Sequence, residues 1–117
     1  MGINMAYDNI SRIVSIIFFI FMLSFTIFMF DLIHTVVHEN AHMAINELYD
    51  VDTISMEINL LSTSFVTANT TNIKGEERIS FNEMQSMNEI IGYNVGMLTQ
   101  AIIVSVGLIS LAYLLSK

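Results

Sequence analysis

The chain has 117 residues, 54% of them hydrophobic and only 13% charged, and its mean hydropathy of +0.64 is too high for an ordinary soluble domain. A net charge of −7, with only four lysines and arginines in all, excludes a phosphate-binding surface, so nucleic acid is not an expected partner. With no cysteine there are neither disulfides nor thiolate ligands, and a transition metal would have to be held by imidazole and carboxylate.

Residues 13–30 carry no charge and approach the ~20 residues that cross a hydrocarbon core, and the span is expected to cover about 13–33. The run is longer than the ~7 to 15 apolar residues of a secretory signal, and no small-residue cleavage pattern follows, so a retained anchor is expected. The sequence has no proline, so the helix should leave the bilayer unbroken and continue to about Tyr49. From Thr53 to Leu61 the chain alternates, with Ile54, Met56, Ile58 and Leu60 on one side and Ser55, Glu57 and Asn59 on the other, the period of a half-buried strand. Residues 64–71 are its expected hairpin partner. The segment Ile73 to Arg78 reads as a polar connection, and Ser80 with Glu83 as a capping box that opens a second helix. That helix runs into the second apolar span, residues 95–115.

The expected fold is mainly α: a two-span transmembrane helical hairpin whose helices extend beyond the membrane, with a small β-hairpin in the connecting segment 34–94. Residues 1–117 are expected to form a single membrane domain, because the connecting segment is too short for a core of its own without disulfides and should rest on the helices or another subunit. Arg12 precedes the first span and Lys117 follows the second, which favours cytoplasmic termini and places the connecting segment on the outer or lumenal face.

Residues 38 to 42 read His-Glu-Asn-Ala-His, the pattern HExxH, on the expected extramembrane turns of the first helix. Four-residue spacing sets His38 and His42 one turn apart on one face, where both imidazoles can bind one Zn²⁺. Glu39 stands beside that face, where its carboxylate can take a proton from a water activated by the metal. The chemistry implied is hydrolysis. His34 continues the stripe but lies ~12 Å from His42 along the axis, too far to share the ion.

The third ligand must then be a carboxylate from elsewhere, and height above the membrane selects Glu89. It precedes the second span by ~9 Å, and the midpoint of His38 and His42 follows the first by ~10 Å, at 1.5 Å per helical residue. Glu89 also shares a face with Gly92, Tyr93, Gly96 and Gln100, and Gly92 with Gly96 forms a small-residue contact motif. On the first helix Ser24, Asp31, Thr35, His38 and His42 form a polar stripe that this face can meet. Glu83, Glu57, Asp50 and Asp52 remain competing acids. Tyr93 could donate to an oxyanion developing at the metal, or stand as an interfacial tyrosine.

The stretch from His34 to Tyr49, followed later by Asn88 to Asn94, resembles the gluzincin metallopeptidases, in which HExxH supplies two zinc ligands and a glutamate on a later helix the third. The resemblance implies a small integral-membrane zinc peptidase with His38, His42 and Glu89 as ligands and Glu39 as catalytic base. It departs from the family at position 93, which is tyrosine where the family has aspartate. The expected activity is cleavage of membrane-proximal peptide or membrane-protein substrate. Besides the lipid bilayer, the expected partners are further copies of the chain or a larger membrane complex. The alternative from another class is a non-catalytic small subunit of a membrane complex, with any metal held structurally.

Overall fold

The computed structural model describes residues 2–59 and 63–116. Helix α1 (Gly2–Leu48) is followed by strands β1 (Asp52–Glu57) and β2 (Phe65–Asn69) and by helix α2 (Gly75–Ser116). The expected fold is the one found: most of the described residues are helical, and two long helices are joined by a small antiparallel β-hairpin. Both helices are long and apolar enough to cross a membrane. With 47 and 42 residues, each has at least twice the ~20 that a crossing needs, leaving several turns to build structure outside the hydrocarbon.

Two compact units divide the chain. The first, Met1–Met29 with Leu98–Lys117, turns large apolar side chains outward; Ile17, Phe18 and Phe21 are each more than 60% exposed, a surface suited to lipid rather than water. Within it, Gly107 faces Leu23 so closely that a Cβ there would lie 2.6 Å from a leucine methyl. The Arg12 guanidinium donates to the carbonyl of Leu115, one of the free carbonyls at the end of α2.

The second unit, Phe30–Met97, contains the end of α1, the hairpin and the start of α2. Asp50 ends α1 in the left-handed region, at φ 52°, while the Val51 amide donates to the Asn46 carbonyl at 2.8 Å and the Asp50 amide to that of Glu47 at 3.2 Å. This is the paired-bond stop more often built on glycine, with Val51 folding back to bury beside Ile45. Ile45, Val51, Ile73 and Phe81 make a small core, flanked by Tyr49 and Ala68. Residues 45–51 and 73–81 share this cluster.

Two local expectations are corrected. Helix α2 begins at Gly75, not at Ser80: Gly75 takes φ +58°, and Glu76 and Glu77 occupy the first turn, where carboxylates favour the helix dipole. Ser80 is thus no cap, and its hydroxyl bonds the Tyr49 hydroxyl at 2.6 Å. The expected strand is found as Asp52–Glu57 and is exposed along its length rather than half-buried, and a register irregularity between Thr53 and Ser55 interrupts its alternation. Leu60 and Leu61 lie outside the described residues.

Ile73 is 2% exposed at the junction of hairpin and α2. Replacing it with alanine should cost about 2–4 kcal/mol. The expected readout is faster proteolytic cleavage in the hairpin with the helical circular dichroism retained; unchanged cleavage would contradict the assigned core.

Candidate metal centre

Four-residue spacing on α1 aligns His34, His38, His42 and Asn46 on one face, and α2 answers with Gln85, Glu89, Gly92 and Gly96. The two faces meet because the glycines have no side chain. A Cβ at position 92 would overlap the His38 ring, and one at position 96 would lie 2.9 Å from Cε1 of His34. His34 Nε2 bonds the Gly92 carbonyl at 3.0 Å, so this histidine ties the helices together at the glycines.

At the next turns the imidazoles and the distant acid converge. His38 Nε2 and His42 Nε2 are 3.2 Å apart. One Glu89 carboxylate oxygen lies 3.4 Å from His38 Nε2 and the other 3.1 Å from His42 Nε2. Three donors bound tetrahedrally to one ion at ~2.0 to 2.1 Å stand about 3.3 Å from one another, so these separations suit a shared cation. His38, His42 and Glu89 could together hold a metal ion, and among the described residues they are the group of histidines and acids so placed. The acids Glu83, Glu57, Asp50 and Asp52 take no part in it. Both histidine side chains are mostly buried, whereas that of Glu89 is 65% exposed. The rings therefore form the fixed wall of the site, and the carboxylate reaches in from its open side.

The surroundings divide the remaining residues. Glu39 is 4% exposed, lines the same cleft, and its Oε2 has no hydrogen-bond partner. A carboxylate oxygen buried without a partner is costly, which sets Glu39 apart from the other described acids. Tyr93 lines the cleft as well, but its side chain is exposed and has no hydrogen bond among the described residues. The cleft, of about 460 Å³, has Phe65 and Val66 of β2 on another wall.

Three residues that the sequence reading passed over stand behind His42. Its Nδ1 atom bonds Gln85 Oε1, Gln85 Nε2 donates to Asn46 Oδ1 at 2.9 Å, and Asn46 Nδ2 donates to Thr53 Oγ1 at 3.0 Å. The signal for two of them was present: Asn46 lies four residues beyond His42 and Gln85 four before Glu89, each on the face already identified. Thr53, across the hairpin, had no such signal. Comparison with protein-family models, with curated proteins and with solved structures gives no match to this chain.

Gly92→Ala should push the His38 ring away from the site while leaving the fold in place, since a side chain rather than backbone must yield. The expected result is metal-ion binding weakened by roughly tenfold or more, of the order seen when ligand orientation is lost, with an unchanged circular dichroism spectrum. Wild-type affinity in this variant would contradict the close approach.

Proposed function

We propose that this protein is a membrane-embedded zinc peptidase of the gluzincin type, holding Zn²⁺ with His38, His42 and Glu89 and cleaving peptide bonds close to the membrane. The observation that carries the reading is Glu39: an acid buried without a partner for one oxygen, next to a group of donors spaced for one cation. A purely structural metal site needs no such acid.

Zinc, when bound, lowers the pKa of a coordinated water towards ~7 and polarises the scissile carbonyl. Glu39 then has the work of a general base and acid: its carboxylate takes the proton from the attacking water and returns it to the leaving amine as the C–N bond breaks. Burial keeps that carboxylate out of bulk water, where its charge would be screened. Tyr93 lines the cleft, and in this reading its hydroxyl donates to the carbonyl oxygen as negative charge builds there. An extended peptide fits the cleft wall, since β2 pairs with β1 on one side only and keeps a second edge for backbone hydrogen bonds.

His38 follows the first apolar span within a few residues, and Glu89 precedes the second by a similar distance, which supports a reaction at the membrane surface. The positions of Arg12 and Lys117 support cytoplasmic termini and a site on the outer or lumenal face. The rival reading, a small subunit with a structural metal, keeps the ligands but assigns Glu39 no task.

Glu39→Gln separates the two. Under the peptidase reading the variant retains near-stoichiometric zinc and its hydrolysis of a membrane-tethered reporter peptide falls roughly 10²- to 10⁴-fold. Full activity in the variant would show that the base is misassigned.

A further inference from the structure

We infer that Gln85 is a positioning residue that decides which nitrogen of His42 is free to bind the ion, an inference that rests on the metal-centre reading above. An imidazole ligates through a nitrogen that carries no proton, and the proton of the neutral ring then sits on the other nitrogen, where it needs an acceptor. Nε2 of His42 faces His38 and Glu89, so the proton must be held on Nδ1. The atom that faces Nδ1 is Gln85 Oε1, and a carboxamide oxygen only accepts.

The next links satisfy the other end of Gln85 in this orientation. Its amide nitrogen donates to Asn46 Oδ1, and the Asn46 amide nitrogen donates to the Thr53 hydroxyl. Asn46 is 1% exposed, so neither end of its amide has water to fall back on. The hydrogen bonds therefore run in one direction, with His42 donating to Gln85, Gln85 to Asn46 and Asn46 to Thr53. If every amide turned over, the Gln85 nitrogen would face Nδ1, the ring proton would move to Nε2, and the ligand position would close. Of the two settings, only the first leaves a lone pair facing Glu89 and His38. Thr53 ends the series in β1 beside the register irregularity, so the series ties a candidate ligand on α1 to the hairpin.

The tautomer is read in the full-length protein in detergent micelles, free of metal, labelled with ¹⁵N at histidine and carrying Glu89→Ala, which removes the carboxylate that would itself accept a proton from Nε2. Two-bond proton–nitrogen correlations report the tautomer of each ring, and zinc affinity is read with Glu89 in place. With Gln85 in place, His42 should be protonated on Nδ1. Gln85→Glu, whose carboxylate can only accept, should keep that tautomer and bind zinc at least as tightly. Gln85→Leu should release the ring to the Nε2 tautomer and weaken zinc roughly 10- to 100-fold in chelator competition. A structural role alone predicts the reverse ranking, because Gln85→Glu sets an acceptor against Asn46 Oδ1, whereas Gln85→Leu does not. His42 protonated on Nε2 with Gln85 in place and Glu89 removed, or unchanged ring shifts and zinc affinity in Gln85→Leu, overturns the assignment. If Gln85→Leu does not fold, Gln85→Glu decides: loss of the Nδ1 tautomer there overturns it equally. Tautomers that follow the prediction in a protein that takes up no zinc would support the role of Gln85 and contradict the metal centre instead.

Discussion

The candidate site depends on how closely two helices can approach at a pair of glycines. An imidazole fits against α2 only where α2 has no Cβ, and Gly92 and Gly96 clear that space for His38 and His34. With the backbones this near, a glutamate one turn along α2 can reach two histidines on α1, and the donor separations fall at the edge length of a tetrahedral cation site. Bulkier residues at the crossing would move the helices apart by more than the tolerance of a coordination sphere. The small residues are therefore part of the site, though none of them touches a ligand atom's lone pair.

A second constraint acts from the other end of the same unit. The two helices are tied together beyond the site by the cluster of Ile45, Val51, Ile73 and Phe81. The left-handed Asp50 stops α1 at the point where Val51 can enter that cluster and Asn46 can reach the hairpin. The ligands are thus held between a glycine contact on one side and an apolar plug on the other. Such bracketing fixes side chains on rigid helices, the arrangement that keeps a metal site within its narrow geometric tolerance.

Much of this could be read from residue order. Charge-free runs and the absence of proline gave the two long helices, and four-residue spacing gave the histidine pair. Glu89 was legible because distance along a helix is proportional to residue number, so two helices leaving one membrane can be compared by counting. The start of α2 was not legible in the same way, since Gly75, Glu76 and Glu77 are polar enough to pass for a loop and become helical through dipole and glycine effects at a single turn. The exposure of β1, its register irregularity and the reach of Thr53 to Asn46 depend on tertiary placement that no periodicity encodes. Sequence thus located the donors, while the network that orients them came from three-dimensional packing.

The central claim is that two imidazoles and one carboxylate share a single zinc ion. X-ray absorption at the zinc edge of the purified full-length protein tests it most directly, because it counts the rings around the metal. The account predicts a four-coordinate shell of nitrogen and oxygen at ~2.0 to 2.1 Å with outer scattering from two imidazoles. A spectrum with one imidazole or none, or a six-coordinate shell of oxygen alone, would contradict it.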